Sequence, residues 1–405
     1  MKRLITLAAF AALQVGSINV KAAVDYTTFA GYSKPTGGDG GSETTVTSAS
    51  ALVSAAASSG KKIINISGSI SNALVVCTND KSFIGVGTDA KLTSSSFLIK
   101  NVSNIIIKNI TMTLPYPITV SGSDNDGDVI HIEGADVSNV WIDHCELFNK
   151  YDGVGKDDYD GIIDIKKGSS KITVSWCYIH DAWKTSLIGY TESDVNDWQI
   201  AYHHNLFNYV NSRLPSIRGG TAALFNNYFL NVPSTAINCR VGATVYIEKN
   251  YFEGVGSGAK DSDLGMLEGP IGAYYSGSAG LWNVVDNIYV NCLGSQPTTS
   301  TTQYKPSFIS SAASIIIPAA DVPAVTKEYA GIIGKAKTLK YPTTKVADGS
   351  SKTQSIMTNA TAAVNSSAYT IRGERVGKTV ASSTAKGVYI IRDVMSAVRV
   401  TNAAR

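Results

Sequence analysis

The 405-residue chain is 44% apolar and only 17% charged, a composition that excludes intrinsic disorder and supports a large buried core. Its formal charge of +3 includes Lys2, Arg3 and Lys21, without which 32 basic residues face 32 acidic ones. A neutral chain has no global field to recruit nucleic acid or an anionic membrane, so any polyanionic partner must meet locally concentrated charge.

Residues 1–22 read as an export signal. Lys2 and Arg3 precede an apolar stretch from Leu4 to Val15, and Val20-Lys21-Ala22 gives a small-residue cleavage pattern. The apolar run is too short to span a bilayer, so the expected protein is secreted and extracellular, with no membrane span. Next comes GGDGG at residues 37–41, which precedes no strand-to-helix unit of the phosphate-loop kind and reads as a flexible turn. The Ala- and Ser-rich run 47–59, ending at Gly60, predicts a short helix that caps the open end of a repetitive region.

The middle of the chain repeats itself. KNITM, HCELF, WCYIH, HNLFN, NNYFL, KNYFE and DNIYV each carry Asn or Cys in second place, at Asn109, Cys145, Cys177, Asn205, Asn227, Asn250 and Asn287. The shortest intervals, 22 and 23 residues, give the basic turn, and the longer ones carry inserted loops. Strand-forming residues dominate, which predicts a stack of short parallel strands with the Asn side chains in an internal ladder. Five cysteines permit at most two disulfides. Cys145 and Cys177 lie in consecutive turns, where a bridge and a pair of buried thiols are both open.

A second set of strands, DVIHIEG, IIDIKKG, SLIGY, SIRGG and AINCRVG, can be laid over one another with Ile130, Ile163, Leu187, Ile217 and Ile237 in one inward row. Alternation then gives one exposed row of His131, Asp164, Ile188, Arg218 and Asn238. A second exposed row holds Glu133, Lys166, Tyr190, Gly220 and Arg240. After Cys292 the repeat is lost. Residues 306–335 are expected to pack back on the stack. The region from about Tyr341 onward reads as a Ser/Thr/Ala-rich linker, then two strand-like runs, AYTIRGERVG and KGVYIIRD, able to form a small β unit.

One face of the stack should carry both acids and bases. Asp126-Gly127-Asp128 opens one strand, and Asp160 and Asp164 fall on the next turn. Carboxylates gathered this way repel unless a cation neutralises them, and all-oxygen ligation without a nearby thiol favours calcium over zinc. Lys166, Lys184, Arg213, Arg218 and Arg240 follow on successive turns. A row of cations leading away from an acidic site suits a polymer of repeated carboxylates, a polyuronate.

WIDHC at 141–145, DGIIDIK at 160–166, WKTSLIG at 183–189 and RLPSIRGG at 213–220 resemble the signature segments of the family 1 polysaccharide lyases, the pectate lyases. The resemblance runs in family order from about residue 37 to 335. It implies an all-β, right-handed parallel β-helix, here residues 23–340 after the signal at 1–22; the tail at 341–405 lies outside the resemblance and reads equally as a faint likeness to sorting segments or as a degraded extra domain. It also implies a secreted enzyme that cleaves polygalacturonate by calcium-dependent β-elimination; a monomer is expected. By matching motif, Asp128, Asp160 and Asp164 are the implied calcium ligands, with Asp126 joining when substrate brings further calcium. Lys166, Lys184, Arg218 and Arg240 are the implied substrate-binding cations, and Arg213 the implied base. Asp160 stands where some relatives have Glu. Asp143 and His144 match a structural segment of the family and are assigned no catalytic role.

A guanidinium is ordinarily protonated, so an arginine base requires surrounding positive charge that disfavours its charged form, and an alkaline activity optimum is the consequence. Two other readings use the same residues. Paired carboxylates could hydrolyse the polymer, as a polygalacturonase does, or the cleft could bind a polyuronate without cutting it.

Overall fold

The computed structural model describes residues 25–114, 127–341, 388–390 and 399–401. The export signal, Asp126 and the AYTIRGERVG run lie outside them. The chain divides into two units, residues 1–341 and 342–405.

The first unit is a coil of short strands that stack into three parallel sheets of ten, nine and eight strands. Among the described residues each complete turn contributes one strand to each sheet, so sequence neighbours lie in different sheets and spatial neighbours lie one turn apart. The eight-stranded sheet includes Ile130–Glu133, Ile163–Lys166, Leu187–Ile188, Ser216–Ile217 and Ile237–Cys239. The interior is apolar: Ile132, Ile165, Ile188, Ile217 and Cys239 follow one another in register, and all are fully buried. Each buried isoleucine contributes about 1.5–3 kcal/mol. Phe207, Phe229, Phe252 and Tyr289 stack in the same way, with centroids 5.0, 4.6 and 5.2 Å apart.

The Asn ladder is present. Asn205 Nδ2 donates to Asn227 Oδ1 at 2.9 Å, Asn227 Nδ2 to Asn250 Oδ1 at 3.0 Å, and Asn250 Nδ2 to Asn287 Oδ1 at 3.0 Å. Cys177 and Cys145 continue it as buried free thiols. Asn109 departs from the expected row. Glu146 pairs with Thr111, which sets Cys145 over Ile110. Asn109 instead takes the left-handed turn position, φ 61°, shared by His144, Trp176, His204, Asn226, Lys249 and Asp286, each one residue before the ladder. A left-handed Asn is tolerated at a tight turn, and the Asn-Ile order there shifts the motif by one.

The short helix Ala49–Ala57 begins at Ser48, whose hydroxyl accepts from Ala51 N, and buries Leu52, Ala55 and Ala56 against the first turns. At the other end of the sequence of turns, residues 306–335 return along the coil. Ile309 and Ile315 pack on Ala223 and Phe225, and Val322 and Ala330 on Tyr178 and Tyr228. Among the described residues no single helix is long and apolar enough to cross a membrane. In the second unit, Val388–Ile390 pairs antiparallel with Arg399–Thr401. The first strand lies in KGVYIIRD, whereas its partner is a run the sequence pattern did not single out.

Candidate active site

The eight-stranded sheet presents a polar outer face, and its register corrects the one expected from sequence. Ile130 pairs with Ile163 and Glu133 with Lys166 as expected, but Ile165 pairs with Ile188, Ile188 with Ile217, and Ile217 with Cys239. Leu187 and Ile188 are adjacent apolar residues, so alternation alone could not choose between them. Ile237 and Cys239 have the same parity, so a slip of two residues preserves the pattern. In consequence Ile188 points inward, and Arg218 leaves the Asp164 row. Asp164, Leu187, Ser216 and Asn238 form one row, and continuation of the register places Lys166, Gly189, Arg218 and Arg240 in the next. The backbone bonds Gly189 N to Ile165 O, Arg218 N to Ile188 O and Arg240 N to Ile217 O agree with that continuation. Nor are these rows freely exposed: His131, Asp164, Lys166 and Arg218 are all buried by their neighbours.

Asp128, Asp160 and Asp164 converge, with one oxygen from each within 4.8 Å of the others. The backbone fixes two of them. Gly161 N donates to Asp128 Oδ1 at 3.1 Å, and Leu187 N to Asp164 Oδ1 at 3.0 Å. Burial, and then the Asp128 charge, push the Asp164 carboxyl up to about 7. Lys166 offsets part of this negative charge, its Nζ lying 3.3 Å from Asp128 Oδ2 and 3.6 Å from Asp164 Oδ2. A crowded, all-oxygen cluster whose burial and mutual charge hold one member towards protonation fits a hard dication such as calcium.

The cations reach this cluster from two directions. Lys184 ends the strand Tyr178–Lys184 of the nine-stranded sheet and pairs in register with Ser212, so Arg213 stands at the corresponding corner of the next turn. Ser186 N donates to Arg213 O at 2.8 Å and holds that corner, while Arg213 adopts φ 63°. Lys184 Nζ lies 3.2 Å from Asp160 Oδ1 and 3.1 Å from Asp157 Oδ1. Arg218 and Arg240 lie farther along, where both meet Glu192: Arg218 Nε at 2.8 Å and Arg240 Nη2 at 3.0 Å from the same oxygen. Burial, then the Arg218 charge, bring Arg240 down to about 10.

Of the residues proposed from sequence, the structure brings together Asp128, Asp160, Asp164, Lys166 and Lys184, with Arg213 at the adjoining corner and Arg218 and Arg240 along the same face. Three participants were not singled out. His131 lies buried between Asp128 and Glu133, with its ring nitrogens 3.0 and 3.1 Å from their carboxylates. Asp157 and Glu192 come from inserted loops, and no periodicity marks them. Asp143 lies in the ten-stranded sheet, held by Ser175, Lys108 and His144, away from this strand row.

Residues 7–307 match the family described as pectate lyase. The chain belongs to the pectate lyase family. It is 36% identical over 335 residues to a pectate trisaccharide-lyase of Bacillus licheniformis, covering 80% of this chain and 91% of that protein. A probable pectate lyase B of Aspergillus terreus is 40% identical over 222 residues, 54% of this chain and 65% of its own. Among solved structures, a Bacillus pectate lyase in complex with trigalacturonate superposes with a TM-score of 0.65 at 34% identity, covering 74% of this chain and 95% of that one. Pectate lyase II of Xanthomonas campestris gives 0.58 at 27% identity, covering 74% and 96%. The coil is thus the right-handed parallel β-helix of the pectate lyases, and the acidic cluster and cation row gather along the eight-stranded sheet and the adjoining end of the nine-stranded one.

Proposed function

We propose that this pectate lyase relative cleaves polygalacturonate by calcium-dependent β-elimination and leaves unsaturated oligogalacturonates. The observation that carries the reading is one contiguous set of side chains in which Asp128, Asp160 and Asp164 adjoin Lys166, Lys184 and Arg213, with Arg218 and Arg240 beyond. The named relatives and the trigalacturonate complex of the Bacillus enzyme support the same substrate class.

Asp128, Asp160 and Asp164 would hold calcium, with Asp126 as a further ligand when substrate is present. When bound, the ion supplies positive charge beside the uronate carboxylate and acidifies the proton on the adjacent carbon. Lys184 and Arg218 add fixed charge where negative charge develops. We assign Arg213 to take that proton; the bond from the neighbouring carbon to the glycosidic oxygen then breaks, a double bond forms in the uronate ring, and the departing oxygen takes a proton from solvent. Lys166 and Arg240 bind and orient flanking uronates. The reading extends to an exported, monomeric enzyme with residues 23–340 as its lyase domain and 341–405 as a separate tail.

The deciding experiment measures ultraviolet absorbance of polygalacturonate at alkaline pH with the purified protein, with added calcium against excess chelator. Growth of absorbance only with calcium is expected. Chain cutting without absorbance would make the protein a hydrolase, and no cutting in either condition would make it a binding module.

A further inference from the structure

The two arginines at the far end of the cation row are already engaged by a carboxylate. Glu192 Oε1 receives Arg218 Nε at 2.8 Å and lies 3.0 Å from Arg240 Nη2, and Ser276 Oγ donates to Oε2 at 3.2 Å. Two guanidiniums converging on one oxygen are the arrangement expected for a bound uronate carboxylate. Arg240 Nε, buried, has no hydrogen-bond partner among the described residues, so Glu192 satisfies the Arg240 guanidinium only in part.

Glu192 belongs to a loop built to stay in place without it. Asp194, buried, accepts at Oδ2 from Lys167 N at 3.2 Å and Tyr190 N at 3.1 Å, and at Oδ1 from Asn196 Nδ2 at 2.7 Å. Arg218 Nη1 donates to Gly189 O at 2.6 Å and so ties the loop base to the row. Glu192 itself is half exposed, with 47% of its side chain open to solvent. The loop is therefore anchored by Asp194, while the half-open Glu192 carboxylate lies where an incoming carboxylate can reach it.

We propose that Glu192 is an internal carboxylate that competes with a substrate carboxylate for the Arg218–Arg240 pair and so sets how strongly this subsite prefers a free uronate over a methyl-esterified one. A charged uronate must displace Glu192 or meet its repulsion, whereas a neutral ester can lie beside it and draw on the remaining donors. The inference rests on the polyuronate lyase reading. Its residue differs from those assigned to the ion and the base, and it acts on selection of substrate.

The test is Glu192→Gln, an isostere that keeps the shape and removes the charge, checked for unchanged thermal unfolding. With calcium present, kcat/KM is measured on polygalacturonate and on highly methyl-esterified pectin. The ratio of the two should shift towards polygalacturonate by about three- to tenfold. In parallel, calorimetric titration with trigalacturonate should show tighter binding by the variant. An unchanged ratio and unchanged binding, or a shift towards pectin, would overturn the proposal. If neither protein forms unsaturated product, the lyase reading fails, and the titration alone still decides whether Glu192 competes for the arginines.

Discussion

Lys184 Nζ lies 3.2 Å from Asp160 Oδ1, so a cation of the substrate face is tied directly to the acidic cluster. Asp157, largely exposed, holds the same ammonium from the other side at 3.1 Å. Asp160→Asn should therefore leave Lys184 in position through Asp157 while weakening the cluster. Calcium affinity measured by calorimetry is expected to fall by about tenfold or more, because one anionic oxygen ligand is lost. Unchanged affinity would remove Asp160 from the ligand set.

Gly161 stands against the cluster with no room for a side chain. A Cβ there would lie 2.3 Å from Asp164 Oδ1 and 3.0 Å from Asp128 Oδ1. Gly161→Ala should push the two carboxylates from their places, raising the calcium concentration for half-maximal activity by about tenfold with little loss of fold. A calcium titration of activity beside a thermal melt separates the two effects.

Arg213→Ala should lower the rate of unsaturated product formation by about a hundredfold or more, the usual scale for loss of a general base. Oligogalacturonate binding should change far less, because Lys166, Arg218 and Arg240 remain. Single-turnover rates beside a binding titration make the comparison; a loss confined to binding would return Arg213 to the substrate-holding set.

Much of this organisation is legible in the sequence because a stacked coil writes its period into it. The ladder from Cys145 to Asn287 is readable because each turn reuses the same position, and the site motifs are readable because they sit on strands of that period. The failures also have physical causes. Asn109 is misplaced because the amide that suits a ladder also suits a left-handed turn. Arg218 is misplaced because Leu187-Ile188 gives alternation no means of choosing which residue points inward. Glu192 and Asp157 are silent because inserted loops carry no period, and their partners are set only when turns 26 or 27 residues apart come together.

The returning segment near residue 340 is held by a charge cluster on the nine-stranded sheet. His180 Nδ1 lies 2.6 Å from Asp181 Oδ2, and Nε2 faces Glu146 Oε1 at 3.6 Å, an ion-pair distance beyond hydrogen-bond reach. Lys335 pairs with Glu146 at 2.6 Å, and Lys340 pairs with Asp181. Burial pulls His180 down, but Asp181 and Glu146 outweigh it and raise its pKa above the ordinary value. Its stabilisation is therefore complete below about pH 6.5 and is lost as pH rises through the raised value. Burial pushes Glu146 up, yet His180, Lys335 and Thr111 bring it down to about 2, so its contribution is present above its ordinary value and is lost as pH falls towards 2. His180→Gln should lower Tm by about 2 °C more at pH 6 than at pH 9. Loss of ring stacking on Phe148 and Tyr178 is common to both conditions, so the pH difference isolates the charge.

Asn227 carries the ladder at its centre. Its Oδ1 accepts from Asn205 N at 3.1 Å and Asn205 Nδ2 at 2.9 Å, while its Nδ2 donates to Tyr202 O at 2.9 Å and Asn250 Oδ1 at 3.0 Å. Asn227→Ala removes all four bonds and strands buried groups of both neighbouring turns. The expected destabilisation is about 3 kcal/mol, above the cost of a lost surface hydrogen bond, because the stranded groups stay desolvated. Asn227→Leu should cost at least as much, since it adds volume without supplying partners. In urea the midpoint should fall with the slope of the transition unchanged, the signature of a less stable coil that still unfolds as one unit. A fall in slope would instead show that turns on either side of Asn227 unfold separately, making the ladder the source of cooperativity along the coil.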